Sequence, residues 1–136
     1  MVAIVDASKK VTLFDTVRLD QISSRQFDQP LTNHPFIVNN LVVVEAGSQT
    51  MHAMSFEQLQ DSFTLPLNSV SLAGITQLDS TLYVAQQNGK IQLLNASSGE
   101  VTKAYTLNSI LSDGVIRAEE ELFFVAVDGT LFQLGQ

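Results

Sequence analysis

Residues 82–94 read LYVAQQNGKIQLL, which is an apolar segment, an Asn-Gly pair and a second segment in which apolar and polar residues alternate. Residues 122–134, forty positions later and without a gap, read LFFVAVDGTLFQL. Asn-Gly and Asp-Gly favour two-residue β-hairpin turns, because both central residues of such a turn need a positive φ. The pattern returns with weaker turns at 42–54 and 2–14. The sequence therefore predicts four hairpins that recur at a period of about 40 residues.

Two further strands are predicted in each period, and we letter the four strands a to d from the central axis outward. No 3.6-residue apolar period persists for three turns, so no helix is expected. The hairpin strands b and c are expected at 2–5, 41–44, 82–85 and 122–127, and at 11–14, 51–54, 91–94 and 131–134. Strand d is expected at 22–27, 59–65 and 101–107, and strand a at 35–38, 74–78 and 114–118.

Four antiparallel strands in every stretch of about 40 residues is the pattern of a β-propeller blade, so the predicted fold class is all-β with propeller-type blades. The chain is expected to be a single repeat domain, 1–136, with blade-like units at about 1–33, 34–73, 74–113 and 114–136. Propellers close with at least four blades. The predicted strands give a three-stranded start, two full blades and a three-stranded end, so the ring is expected to be incomplete within one chain.

An open ring leaves the faces of its two terminal blades exposed. Those faces are expected to carry Ile4, Phe14, Phe124 and Phe132. Because this apolar area is too large for a stable monomer, we predict a homodimer or higher assembly that completes the ring. The alternative is that the chain is a fragment of a longer propeller.

Residues 82–101 resemble the quinoprotein-like propeller repeat, the PQQ-type repeat. The resemblance lies in the apolar strand, Asn88-Gly89, the second strand and the turn Gly99-Glu100, with Asn95 where that family usually has Asp. The tryptophan that typically follows the turn is missing, and Ala104-Tyr105 occupy the region. The repeat period covers the whole chain, but only this copy has the full pattern. The resemblance implies the fold and no cofactor. The WD40 family, the alternative with the same architecture, would require Trp-Asp and Gly-His signatures that the sequence lacks.

Composition excludes several functions. Among 136 residues, 7 Lys and Arg stand against 14 Asp and Glu, which gives a formal charge of −7 and argues against a nucleic-acid or anionic-membrane binder. There is no cysteine and there are two histidines, so disulfides, thiolate metal sites and a histidine-rich metal cluster are excluded. No basic segment precedes an apolar run at the N-terminus, and no apolar run approaches about 20 residues. A cytoplasmic location is expected by default, and an extracytoplasmic one if the chain is an excised fragment.

No combination of nucleophile, base and orienting group is evident, and G-x-S-x-G is absent. The carboxylates, Glu45 and Asp128 among them, could include a catalytic pair or a cation site, but most are expected at turns, where Asp caps the backbone with its own side chain. No catalytic, cofactor or metal residue is predicted. The sequence therefore favours a non-catalytic protein-interaction scaffold. The alternatives are a fragment or subunit of a propeller-fold enzyme, of the quinoprotein dehydrogenase or lyase type, and a purely structural piece.

A protein partner is expected to bind the loops between strands d and a, at 28–33, 68–71 and 108–113, because loops on a rigid scaffold commonly carry function. His34 stands where the next two repeats have Gly74 and Gly114. His52 is expected to be a hydrogen-bonded or exposed strand residue. The alternative for the Asn-Ser pairs in these loops is turn chemistry alone. The predicted binding-face residues are His34, Asn68, Ser69, Asn108, Ser109 and Asp113.

Overall fold

A computed structural model describes residues 1–134, apart from the side chains of residues 113 and 114. Within this range the chain forms fourteen β-strands. Among the described residues there is no helix, and hence none that is long and apolar enough to cross a membrane. The strands are β1 (Val2–Val5), β2 (Lys10–Asp15), β3 (Asp20–Gln26), β4 (Phe36–Val38), β5 (Leu41–Ala46), β6 (Thr50–Ser55), β7 (Asp61–Pro66), β8 (Leu72–Leu78), β9 (Thr81–Gln86), β10 (Lys90–Asn95), β11 (Val101–Thr106), β12 (Leu111–Ala118), β13 (Glu121–Ala126) and β14 (Leu131–Leu134).

The described strands form four antiparallel sheets in which neighbours in the chain are neighbours in the sheet. Sheet 1 is β1-β2-β3, sheet 2 is β4-β5-β6-β7, sheet 3 is β8-β9-β10-β11, and sheet 4 is β12-β13-β14. The predicted sequence of three, four, four and three strands is confirmed, as is the all-β fold class. Two of the four described sheets lack a fourth strand, so the chain does not supply four complete blades and does not close a ring by itself.

The repeat period extends to the backbone conformation of the turns. Asn39, Asp79 and Glu119, which lie forty positions apart, have φ values of 51°, 55° and 58° in the turn between strands a and b. In the turn between strands c and d, the N–H groups of Leu19, Leu59 and Gly99 each donate to the carbonyl four residues earlier. The repeat therefore specifies backbone geometry even where the residue type changes.

Strand a begins earlier than predicted in sheets 3 and 4. A register shift between Leu72 and Gly74 in β8, and another between Leu111 and Val115 in β12, lets pairing with the next strand continue beyond the irregularity. The prediction that Asp113 lies in the preceding loop is wrong, because its backbone belongs to β12. In β13 the opposite happens: the strand ends at Ala126, so Val127, predicted as strand, lies in the turn.

The chain divides into two compact units, and unit 1 comprises Met1–Ser69 with sheets 1 and 2. Its core is a cluster in which buried β2 residues share contacts with buried β5 and β6 residues. The main members are Val11, Leu13, Val42, Val44 and Met54, with Ala3 and Val5 packed against them. Alternate residues of β1 and β2 thus face this core, and the intervening residues face away from it.

Unit 2 begins at Val70 and contains sheets 3 and 4. Ala85 and Ile91 of sheet 3 share a core cluster with Leu122 and Phe124 of sheet 4. The prediction that Phe124 lies on an exposed terminal face is wrong, because its side chain is only 1% exposed. Because β13 is almost continuously apolar, its sequence does not show which alternate residues face the core. The observed register directs Phe124 to the core.

The other predicted terminal-face residues differ from one another. Ile4 is exposed and Phe14 is half-buried, and both lie on the face of sheet 1 that is turned away from the unit 1 core. Phe132 is half-buried and packs against the unit 2 core. The exposed apolar face of sheet 4 is therefore formed by other residues than those predicted.

Candidate functional site

Each loop between strands d and a is hydrogen-bonded to a turn between strands b and c. The N–H groups of Gly47, Gln87 and Val127 donate to the carbonyls of residues 30, 71 and 110, with N···O distances of 2.7, 2.9 and 2.9 Å. The first contact lies within unit 1 and the other two within unit 2. We call these joined loops and turns the loop–turn edge of each unit. Because the loop and turn backbones are hydrogen-bonded to each other, the Cα positions from which side chains project on this edge are fixed.

In unit 1 the loop–turn edge is held by a buried carboxylate. Glu45, at the end of β5, is 1% exposed. Its Oε2 accepts a hydrogen bond from Thr32 Oγ1 at 2.5 Å and from Ser48 Oγ at 3.3 Å. The expectation that most carboxylates lie at turns does not fit Glu45. A lone acidic residue at the end of the apolar run LVVV was the signal that could have identified it.

The predicted site residues of unit 1 lie apart from one another. His34 is exposed just before β4, and its ring lies 4.5 Å from the ring of Phe36, centroid to centroid. Asn68 and Ser69 are exposed in the segment after β7, with φ values of 53° and 64°. Ser69 Oγ accepts a 2.8 Å hydrogen bond from Gln49 Nε2, which belongs to the turn between strands b and c. Ser69 is therefore the predicted residue that is attached to this edge.

In unit 2 the loop–turn edge contains a depression of ≈ 360 Å³. Two predicted residues, Asn108 and Ser109, line it together with Ile110, Val127, Asp128 and Ala126. Asn108 is exposed and Ser109 is half-buried. Ile110 and Val127 are 66% and 68% exposed, so two large aliphatic side chains face solvent here. The sixth predicted residue, Asp113, has a side chain that lies outside the described residues.

Asp128 gives the depression a fixed negative charge. Its Oδ1 accepts the backbone N–H of Thr130 at 3.0 Å, within the Asp-Gly turn in which Gly129 has a φ of 90°. This hydrogen bond, supported by one from the Thr130 side chain, holds the pKa of Asp128 below its usual range. The carboxylate is thus ionised near neutral pH and oriented by its own turn. Together the lining residues offer an aliphatic surface beside an anion.

A second polar cluster, in unit 1, lies away from the loop–turn edge. Arg25 of β3 pairs with Asp61 of β7 at 2.6 Å, and its guanidinium lies 4.6 Å from the centroid of the Phe27 ring. His52 Nδ1 lies 3.0 Å from Asp61 Oδ1, so the prediction of a hydrogen-bonded strand histidine is confirmed. Burial disfavours ionisation of Asp61, but the hydrogen bonds from Arg25 and His52 outweigh it, and the pKa of Asp61 is lowered. The cluster joins sheet 1 to sheet 2.

Among the described residues no group of three or more His, Asp or Glu side chains converges in a way that could hold a metal ion. The arrangement of the loop–turn edge of unit 2 suits noncovalent contact with another molecule. It combines exposed aliphatic groups, side-chain amide and hydroxyl groups, and one carboxylate on a bonded backbone.

Comparison with known proteins addresses the fold. No protein-family model matches the sequence, and no curated protein matches it. The quinoprotein-like resemblance therefore stays a prediction with respect to family, whereas the propeller fold that it implied is confirmed by solved structures.

Three similar structures illustrate this fold. BamB from Moraxella catarrhalis is 15% identical with a TM-score of 0.74, over 95% of this chain and 44% of that one. The computationally designed Ika4 protein is 13% identical with a TM-score of 0.78, over 97% of this chain and 82% of that one. BBS1N in complex with ARL6DN is 15% identical with a TM-score of 0.72, over 95% of this chain and 44% of that one. The chain thus spans less than half the length of BamB and BBS1N, and it has the β-propeller fold.

Proposed function

We propose that this chain is a non-catalytic protein-interaction scaffold built from propeller repeats, and that it binds a protein partner through the loop–turn edge. The observation that carries the proposal is the pair of exposed aliphatic side chains, Ile110 and Val127, in the depression of unit 2. Neighbouring exposed apolar groups on a folded protein commonly mark an interaction surface. Asn108, Ser109 and Asp128 supply polar groups around them, as at the rim of a protein interface.

Comparison between repeats indicates that the fold does not require an apolar group at position 127. The position of Val127 in the preceding repeat is occupied by Gln87, which is exposed and donates the equivalent backbone hydrogen bond. A polar residue is therefore compatible with the turn. The exposed valine has no structural purpose that glutamine would not serve, which supports a role in binding.

Rigidity of the edge favours binding as well. The bond between Val127 N–H and the Ile110 carbonyl fixes the two aliphatic residues relative to each other. Directly after the loop, Ser112 Oγ of β12 donates to the Val125 carbonyl of β13 at 3.1 Å, which adds a hydrogen bond between the two strands that flank the edge. A preorganised surface loses little conformational freedom when a partner binds, so more of the contact energy appears as affinity.

A similar structure supports a protein partner, and the negative charge of this chain supports one with basic residues. BBS1N, which has a similar fold, was solved in complex with the protein ARL6DN. The formal charge of −7 and the Asp128 carboxylate favour a partner segment that places a Lys or Arg beside an aliphatic side chain. The proposal also includes a homodimer that completes the propeller ring, because sheets 1 and 4 are both three-stranded terminal sheets.

The binding proposal can be tested by placing a photo-crosslinking residue at Val127 and, as a matched control, at Glu121. Glu121 is the first residue of β13 and Val127 directly follows its last, so the two positions lie at opposite ends of that strand. We expect a specific protein adduct from position 127 in the source cell and none from position 121. An adduct from position 121 alone would show that the partner binds at the opposite end of β13 and not at the loop–turn edge.

A second experiment uses alanine at the predicted positions. Binding of the crosslinked partner should weaken with little change in the free energy of unfolding, since these are loop and turn positions or lie at the start of strand a. Unchanged binding would show that the Asn-Ser pairs serve to form the turns and do not contact the partner. The six substituted positions are His34, Asn68, Ser69, Asn108, Ser109 and Asp113.

A further inference from the structure

The two units contain the same contact between sheets, shifted by two repeat periods. In unit 1 one face of sheet 1 and one face of sheet 2 share a core cluster. We call the face of sheet 1 a leading face and the face of sheet 2 a trailing face. The leading face of sheet 1 is Ala3, Val5, Val11 and Leu13, and the trailing face of sheet 2 is Val42, Val44 and Met54. In unit 2 the residues two periods later share a cluster in the same way: Tyr83, Ala85, Ile91 and Leu93 on sheet 3, and Leu122, Phe124 and Leu134 on sheet 4.

Sheet 4 has a leading face of its own on its other side. A shift of one repeat period from sheet 3 places Phe123, Val125, Leu131 and Gln133 on this face. The register agrees, because Phe123 pairs with Gln133 and Val125 with Leu131. Three of the four residues are apolar, and Leu131 is 59% exposed. The leading face of sheet 4 thus resembles that of sheet 3, which is buried in a core, but is itself partly open to solvent.

Sheet 1 has the complementary trailing face. A shift of one repeat period back from sheet 2 places Val2, Ile4 and Phe14 on it, and the register pairs Val2 with Phe14. Ile4 is 49% exposed. These residues border a depression of ≈ 290 Å³, which Leu19 also lines. Sheet 1 therefore presents, on the face equivalent to the one with which sheet 4 contacts sheet 3, an apolar surface that contains a recess.

We infer that the leading face of sheet 4 in one copy packs on the trailing face of sheet 1 in a second copy. The contact would reproduce the one that sheets 3 and 4 already make within unit 2. Two chains related by a two-fold axis would form two such contacts and leave neither face open. This inference rests on the homodimer of the proposed function and identifies its surfaces.

Light scattering of the protein at micromolar concentration tests the inference. We expect twice the chain mass of 14.9 kDa. Ile4→Lys and Leu131→Glu should each give the mass of one chain, whereas Ser97→Glu, in the turn between β10 and β11, should remain a dimer. An equimolar mixture of the two interface variants should regain the doubled mass, because one of its two contacts is then entirely wild-type. Circular dichroism establishes that each variant is folded.

Thiol labelling gives a second measurement that needs no disruptive substitution, since the chain has no cysteine. Leu131→Cys should react slowly at high protein concentration and severalfold faster after dilution, whereas Ser97→Cys should react at one rate throughout. A wild-type mass of one chain, or of three or more, would overturn the inference, as would concentration-independent labelling at position 131. A monomer that still crosslinks a partner from position 127 would overturn the dimer and leave the binding function standing.

Discussion

Replacing Glu119 by glycine is expected to stabilise the fold, whereas the same change at the neighbouring Glu120 is expected to destabilise it. Glu119 has a φ of 58°, and Glu120 is not among the positive-φ residues. A left-handed conformation costs a residue with a Cβ about 1–2 kcal/mol, which glycine avoids. Glycine also gives the unfolded chain more freedom, which costs about 0.4–1 kcal/mol. The net change is a gain of up to about 1.6 kcal/mol at Glu119, about 0.8 kcal/mol at the centre of the two ranges, and a loss of at least about 0.4 kcal/mol at Glu120.

Urea unfolding followed by tyrosine fluorescence can measure this difference. The chain has no tryptophan, and its two tyrosines, Tyr83 and Tyr105, lie in unit 2 with both glutamates. Each substitution removes one exposed negative charge in the same turn, so general charge effects largely cancel. Equal destabilisation by the two changes would show that the repeat does not impose a left-handed residue at position 119.

Three further predictions concern stability. Phe124→Ala should lower the free energy of unfolding by about 3–5 kcal/mol in urea titrations, because the side chain is fully buried, and a loss below about 1 kcal/mol would contradict its place in the core. In the same assay Gly89→Ala should lower the free energy of unfolding clearly more than Gly129→Ala. Both glycines have a positive φ, but a Cβ at Gly89 would lie 2.2 Å from the Leu107 carbonyl oxygen, whereas a Cβ at Gly129 would meet no atom within 4 Å. Because the pKa of Asp61 is lowered in the folded state, this residue should contribute stability that is present above its unfolded pKa of about 3.9 and lost as the pH falls through the lower folded value. The stability of Asp61→Asn should therefore depend less steeply on pH during acid unfolding. An unfolding curve identical to that of the wild type would be evidence against the pair with Arg25.

The repeat itself could be predicted from the sequence, because turn chemistry and alternation act locally. Asn88-Gly89 and Asp128-Gly129 located two hairpins. The expectation that both residues of each pair have a positive φ is wrong, because Gly89 and Gly129 have φ values of 94° and 90° but Asn88 and Asp128 are not among the positive-φ residues. The starts of β8 and β12 could not be located in the same way. A register irregularity extends pairing there, and it depends on the neighbouring strand rather than on the local sequence.

Side-chain direction was harder to predict where both faces of a strand are apolar. In the run LFFVAV the residues on the two faces of the strand have similar hydrophobicity. Alternation therefore did not show which residues point to the core, and Phe124 was predicted on the wrong face. The site was predicted only in part for a related reason. Asn108 and Ser109 have recognisable loop chemistry, whereas Val127 was predicted as part of a strand and Ile110, although within the predicted loop 108–113, is an apolar residue that loop chemistry does not single out. Comparison of Val127 with Gln87 of the preceding repeat was the signal that could have singled it out.

The affinity of the crosslinked partner for Val127→Gln tests the binding proposal most directly. The substitution introduces the residue that the preceding repeat has at this position, so the fold should be retained. Loss of one buried aliphatic contact of about 1.5–3 kcal/mol predicts that Kd rises at least about tenfold. Glu121→Gln, at the other end of β13, should leave Kd unchanged. A Kd that is unaffected by Val127→Gln, or that rises only with Glu121→Gln, would show that the partner does not bind at the loop–turn edge of unit 2.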